Sequence, residues 1–487
     1  MFCKENYNKL YPGMEAENKK PSYKQSELFI AGCQAVSGIP VADISQKSGI
    51  SREYIYQQKE KIEIYALSLD EPPTKAQRQI EISRSFIVRV ILILMLYCRS
   101  SLEGTQRAIE DMFNVKVSIG HISGVIKEAS EKARRFDDGV SLAGIKQGAN
   151  DEIFQGNTPI LTGIDAESSY VYLLEEASDR KAETWELYLE DRKEHGLELE
   201  VSINDGGVGL LAGIPKAYPE VEIQRDVFHA AYEIGKEISK VERRVYAFIK
   251  EEYDLKNRLS SKRIQQKVSE KLEVVIIKVK AAIESYDTIN IGYTWLKELL
   301  GFSGYGIEDT TALVEYITYE MEKAAADFPG LQKECQNIRK TLPYLLSYIK
   351  RLEKAMEQSA QIHGVPKEVF QIMYQQLAFD KSTCQYKDKD NELAKMLGDR
   401  YYEIRYEFQK LLKKTKKASS LVENLNGRIR DYIDIKRIIP TSFFILLKVY
   451  FNTRCYKRSR CEERIGKSPL ELFTGNSYPG FLEILGY

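Results

Sequence analysis

Strand-forming sequence is confined to one stretch of this chain. Between about residues 147 and 228, runs rich in β-branched and aromatic residues alternate with glycine turns and short helical segments. "TPILTGIDAESSYVYLLEEA" holds two such runs on either side of "DAES"; "ELEVSIND" is a third, ending at a glycine turn, and "VEIQRDVF" a fourth. Elsewhere apolar residues recur at helical spacing. Any sheet must therefore form here, in a layer interleaved with helices. The expected fold class is a multidomain α+β protein, mostly helical, whose α/β core is interrupted by a large all-α insertion.

A chain of 487 residues exceeds one ordinary core. Residues 1–23, polar and containing Pro12 and Pro21, read as a loose arm. Residues 24–67 have the spacing of a helix-turn-helix: Ser45, then Gly49 for the turn, Ser51 as N-cap and Ile55 packing back. The second helix would offer Arg52, Glu53, Tyr56, Gln57 and Lys59 to DNA. The paired prolines of "SLDEPPTKAQRQ" make 68–79 a linker. Residues 80–146 form a second helical unit, again with helix-turn-helix character, in which Ser118 caps the last helix and "NVKVS" is a turn with strand potential. The sheet-bearing core takes 147–239, an all-helical insertion 240–412, and the last part of the core 413–487.

Lysine plus arginine equals aspartate plus glutamate, 71 each, so a polyanion-binding surface must come from local clustering. Seven cysteines without a CxxC pair argue against a zinc ribbon or disulfide framework and fit a reducing cytosol. The run "FIVRVILILMLYC" is interrupted by Arg89 and is too short to span a bilayer. The first residues lack the order of a signal peptide. The expected location is the bacterial cytoplasm, beside the nucleoid. No phosphate-cradling GxxxxGK[ST] loop, GxSxG elbow or HExxH occurs.

Three acidic residues stand out by context: Asp151 in "DEIFQG", Asp205 in "NDGG" and Glu423 in "SLVENLNGRIR". Carboxylates held at strand ends and on a crossing helix would repel one another unless divalent cations lay between them. These blocks carry a resemblance. "DEIFQGNTPILTGIDAESSYVYLLEEASDR", "NDGGVGLLAGIPKAYPEVEIQRDVFHAAYEIGK" and "LVENLNGRIRDYI" with "FFILLKVYFNTRCYK" and "GKSPLEL" resemble the acid blocks of DDE-type transposases of bacterial insertion sequences. The second block is similar to that of Mutator-like elements.

The resemblance implies an RNase H-like catalytic core. Asp151, Asp205 and Glu423 would be its catalytic, metal-holding acids, binding two Mg²⁺ for which Mn²⁺ may substitute. It implies cleavage of transposon ends and transfer of the 3′-hydroxyl into target DNA. Double-stranded terminal repeats and target DNA would be the partners, and a homodimer or higher oligomer the working form. The alternative is a domesticated, inactive transposase serving as a DNA-binding regulator or scaffold.

Asp165 is a rival for the first acid and Asp226 for the second. Glu152 adjoins Asp151, but consecutive strand residues face opposite sides, so one of the two can face the metals. Gly206 and Gly207 would let the backbone pass close to the site. Asp226 and His229, i and i+3 on one helical face, are open to three roles: a structural hydrogen bond, metal ligation, or placement of the scissile phosphate. Asn424 and Asn426 would bind phosphate or hold Glu423.

The densest basic stretch surrounds Glu423. Lys413, Lys414, Lys416 and Lys417 precede it, and Arg428, Arg430, Lys436, Arg437, Arg454, Lys457 and Arg458 follow, interleaved with aromatic residues. This reads as a DNA backbone track. Trp295 reads as a core residue, with base stacking as the alternative. His121, His195 and His363 carry no usable pattern.

Overall fold

The structure, a computed structural model, describes residues 23–70, 82–259, 265–417, 419–436 and 439–487. The arm expected over 1–23 and the linker over 68–79 lie largely outside the described residues, as does Arg437. The chain divides into a small N-terminal unit, up to Ile82, and a large unit, Ser83–Tyr487.

The small unit packs three helices: α1 (Gln25–Val36), α2 (Val41–Ser48) and α3 (Arg52–Asp70). Gly49 ends α2 with φ of 69°, a left-handed cap that side chains other than glycine resist. Ser45 Oγ donates to the Ile50 carbonyl at 2.7 Å, so the small residue also ties the turn it permits. Ile44, Ile50 and Ile55 meet Ala31 and Ala35 in the core. The close approach of α1 to α3 rests on Gly32, where an added Cβ would lie 2.7 Å from Ile62 and 2.9 Å from Gln58.

The large unit begins with α4 (Arg84–Leu96), α5 (Leu102–Phe113) and α6 (Ile119–Asp138). Ser83, Ser101 and Ser118 each accept a backbone N–H in the first turn that follows. No strand forms at 114–118. Val115 and Val117 instead pack onto the core, and the Val117 carbonyl accepts from Gln106 at 2.7 Å.

The sheet follows: β1 (Gln147–Gln155), β2 (Thr158–Asp165), β3 (Val171–Glu176), β4 (Val201–Asn204) and β5 (Glu222–Arg225), in spatial order β3-β2-β1-β4-β5. The β1–β2–β3 meander is antiparallel, whereas β4 and β5 join parallel to β1 through α7 (Ala182–Glu194) and α8 (Val208–Ala217). One face packs Tyr172, Leu173 and Leu161 against Trp185, Leu189, Leu210 and Ile214 of α7 and α8. The other packs Ile153, Ile160, Ile164 and Ile203 against α4, α6 and two late helices, α17 (Ser420–Lys436) and α18 (Thr441–Thr453). The helices of 80–146 therefore share the sheet's core.

Two buried side-chain bonds set the alignment of the central strands. Tyr172 Oη donates to Asn150 Oδ1 at 2.5 Å, and Asn150 Nδ2 donates to Ser202 Oγ at 3.0 Å. The Tyr172 ring has room because Gly163 lies beneath it; a Cβ there would come within 2.7 Å of Tyr172 Cζ. At the sheet edge, Asn452 of α18 accepts from the Val171 N–H at 2.7 Å and donates to its carbonyl at 2.9 Å, standing in for a further strand. Lys448, also on α18 and fully buried, pairs with Asp137 at 2.7 Å.

Between β5 and α17 the chain makes the all-helical insertion: α9 (Val227–Leu259), α10 (Gln265–Leu299), α11 (Ile307–Ala324), α12 (Pro329–Leu345), α13 (Ser347–His363), α14 (Lys367–Gln375), α15 (Cys384–Leu397) and α16 (Tyr401–Lys414). It has its own cores, one around α9 to α13 and another around α13 to α16. Trp295 is not in them. It is 53% exposed, because Ile289 and Leu296 take the inward face of α10.

Tyr172→Phe should leave Asn150 Oδ1 buried without a donor. Urea unfolding is expected to show a loss of about 1–3 kcal/mol; an unchanged midpoint would mean the bond does not set the strands.

Candidate active site

The register of the parallel strands gathers acids at one level. Ala149 pairs with Ile203, so continuing by two residues brings Asp151 beside Asp205. Asn204 pairs with Arg225, so one further step brings Asp205 beside Asp226. Asp205 follows the last residue of β4, while Asp151 sits within β1, which runs on to Gln155 because its antiparallel pairing with β2 outlasts its parallel pairing with β4.

Asp151 is fixed from two sides. Its Oδ1 accepts the Glu152 N–H at 2.8 Å, and its Oδ2 accepts from Asn426 Nδ2 of α17 at 2.6 Å. Burial, then the neighbouring Asp205 carboxylate, pushes its pKa up to about 7. Asp205 Oδ1 accepts the Gly207 N–H at 3.0 Å, which bends the loop back at the strand end. Glu423, in the first turn of α17, is exposed, and its pKa is raised by partial burial and by Asp226 and Asp205. Arg430, one face along the same helix, lowers the pKa of both Asp151 and Glu423.

Glu152 also belongs to this group. Its side chain is 9% exposed, its Oε1 accepts from Arg180 at 3.2 Å and its Oε2 has no partner. Burial and Asp205 raise its pKa. A Cβ on Gly207 would lie 3.1 Å from the Glu152 carboxylate. As alternation along β1 requires, the two side chains leave the strand on opposite faces, Asp151 toward Asn426 of α17 and Glu152 toward Arg180, where the loop after β4 passes over it. Glycine at 206 has a similar cause. Gly206 has φ of 95°, and the Arg225 guanidinium fills the place of its missing Cβ. The glycines make room for neighbouring side chains of the site itself.

Asp226 takes the structural role. Its Oδ1 caps α9 by accepting the N–H groups of Phe228 at 2.6 Å and His229 at 3.0 Å. Its Oδ2 accepts from the backbone of Ser419 at 2.9 Å and from the Ser419 hydroxyl. Ser419 in turn gives its carbonyl to the Glu423 N–H at 3.1 Å. Asp226 thus clasps the start of the insertion to the start of the helix bearing Glu423. His229 stands half-buried with Nε2 3.8 Å from Glu233. Asn424 is exposed. Asp165 lies at the far end of β2, where its carboxylate accepts the Ser168 N–H at 2.7 Å.

The basic residues divide into two sets. Lys413, Lys414, Arg430, Arg454, Lys457 and Arg458 are exposed. Arg52, Tyr56 and Gln57 are exposed on α3, and Lys59 lies 3.7 Å from Glu63. The rest turn inward. Lys417 lies 4.7 Å from the Phe302 ring, Arg428 lies 3.9 Å from that of Phe451, and Lys436 donates to the Ser100 carbonyl. Burial lowers the pKa of each, that of Lys436 to about 8. Lys416 Nζ donates to the Lys413 carbonyl at 2.8 Å. A charge run in sequence does not separate these sets; the aromatic neighbours do. A pocket of about 190 Å³ is lined by Arg428, Arg454, Lys457 and Arg458.

Among the described residues no group of three or more His, Cys, Asp or Glu is close enough to hold a metal ion unaided. The donors nevertheless suit Mg²⁺, which takes one or two carboxylates and completes its shell with water and phosphate. Asp151 and Asp205 press on each other electrostatically, and Glu152 Oε2 and Asn426 Oδ1 are buried without partners. A cation would relieve both conditions.

Residues 150–299 match the family model described as Transposase, Mutator family. The match includes Asp151, Asp205, Asp226 and His229 and ends before Glu423. No curated protein matches the chain. The family match supports a transposase, and with it DNA as partner. No helix among the described residues is long and apolar enough to cross a membrane.

The raised pKa of Asp151 has a stability consequence. Its ordinary value is 3.8 and its folded value about 7, so the folded state binds the proton more tightly and stability falls as pH rises through that window. In metal-free protein, Asp151→Asn should stabilise at pH 8 by an amount on the order of 2–4 kcal/mol, with no gain below pH ~4. Denaturant unfolding at the two pH values checks this; an equal effect at both would refute the buried charge.

Proposed function

We propose that the protein is a metal-dependent DNA transposase of DDE type with an RNase H-like core. The observation that carries this is the level pair of acids, Asp151 within β1 and Asp205 just after β4, both inside the matched segment and faced by the helix bearing Glu423, which lies well outside it. Asp151 and Asp205 would hold one Mg²⁺, and Asp151 with Glu423 the second. When bound, such ions activate water or a 3′-hydroxyl and stabilise the leaving oxygen.

The protein's own residues do the positioning. Asn426 holds Asp151 Oδ2 toward α17. Asp226, through Ser419, sets the start of the helix that presents Glu423. Arg430 and Arg180 supply positive charge beside the carboxylates, where the scissile phosphate would lie. Lys413, Lys414, Lys457 and Arg458 would follow the DNA backbone, and α3 with Arg52, Tyr56 and Gln57 would read the ends. Both steps, nicking and strand transfer, are displacements at phosphorus that need no covalent protein intermediate and no ATP. Joining two ends calls for a homodimer or higher oligomer.

A second reading is a DNA-binding regulator without nuclease activity. It draws on the exposure of Glu423 and the lack, among the described residues, of a three-ligand group. Cleavage of labelled terminal repeats with Mg²⁺ separates the two. Wild type should nick, while Asp205→Ala should bind ends with unchanged affinity and lose cutting by at least about 10³-fold. Wild type that binds and never cuts would select the regulator.

Replacing Lys457 and Arg458 by alanine should weaken binding equally for all DNA sequences. It should also reduce the slope of log K against log salt by about 1.8. A slope that does not change would place these residues off the DNA.

A further inference from the structure

The arginines around the acids differ in what holds them. Arg180 donates to Glu152 at 3.2 Å, and Arg430 is exposed. Arg225 is different from both. It ends β5, level with Asn204, and so lies one step short of the Asp205–Asp226 pair. Its half-buried side chain reaches back over the end of β4, where the guanidinium takes the space that a Cβ on Gly206 would need. Burial lowers its pKa, and the charges of Asp205 and Asp226 oppose that. Neither acid forms a hydrogen bond or ion pair with it. Asp226 is committed to the N–H groups of Phe228 and His229 and to Ser419, and Asp205 Oδ1 to the Gly207 N–H. Among the described residues the guanidinium has no acceptor at all, and its nitrogens are not sealed from solvent. A half-buried fork of N–H donors without acceptors costs free energy that a ligand can recover.

We infer that Arg225 is a phosphate-binding residue, whose fork takes the non-bridging oxygens of the DNA phosphate lying beside Asp205. The inference rests on the transposase reading and deepens it by naming the side chain that grips the substrate there. The missing acceptor has to be anionic to match a guanidinium, has to enter from solvent, and has to present paired oxygens to a planar fork. A phosphodiester meets all of these conditions. Arg180 and Arg430 add charge near the acids, but Arg180 is already engaged by Glu152 and Arg430 is held by no contact that would aim it. Arg225 is aimed, because the loop at Gly206 gives up its side chain to seat it.

The test reads binding and not cleavage. Full-length protein in Ca²⁺ is titrated, by fluorescence anisotropy, with terminal-repeat duplexes. In each duplex one phosphate at the outer boundary of the repeat is replaced by a neutral methylphosphonate. Wild type should bind one of these duplexes at least about tenfold more weakly than native DNA. Arg225→Gln should bind native DNA at least about tenfold more weakly than wild type does, with little further loss on that same duplex. The wild-type arm uses no variant and does not depend on how Arg225→Gln folds. A wild type indifferent to every neutral linkage, or losses from the substitution and the linkage that simply add, would overturn the inference. Coupled losses in a protein that never cuts with Mg²⁺ would remove the transposase reading and keep the phosphate site; cutting without coupling would do the reverse.

Discussion

Two buried hydrogen bonds, from Tyr172 to Asn150 and from Asn150 to Ser202, hold β1 against β4 in one register. A slip of one residue would send Asp151 to the other face of the sheet. In the register observed, Asp151 arrives beside Asp205, and burial, with the repulsion between them added to it, raises the pKa of Asp151. The core thus provides a rigid floor on which like charges are held together against their preference. A divalent cation, as proposed, would relieve that repulsion.

The insertion poses a separate problem, since among the described residues eight α-helices part β5 from α17. Asp226 answers it locally. One carboxylate caps the helix that leaves the core and grips Ser419 on the segment that returns. The Val227 N–H donates to the Lys417 carbonyl at 3.2 Å, and Arg351 of α13 donates to the Lys416 carbonyl at 2.8 Å, so exit and re-entry run side by side.

Much of this was legible in the sequence. The confinement of strand signal to 147–228 located the sheet, and "NDGG" marked a strand end followed by a loop that needs glycine. Gly49, Ser118 and Ile55 took the turn, cap and core places their spacing required. What was not legible depends on contacts between distant residues. Glu152 is covered by the 205–207 loop, a contact that alternation along β1 does not reveal. Lys417, Arg428 and Lys436 look like members of a basic track until Phe302, Phe451 and the Ser100 carbonyl are seen against them. Trp295 reads as core by composition, yet it lies one step around the helix from the residues that fill the core.

The central claim is that Asp151, Asp205 and Glu423 share divalent cations. A crystal of the protein with end DNA, grown in Mn²⁺ and measured at the manganese absorption edge, tests it most directly. Anomalous density is expected between Asp151 and Asp205 and again beside Glu423. Ordered DNA over these acids with no anomalous density among them would contradict it.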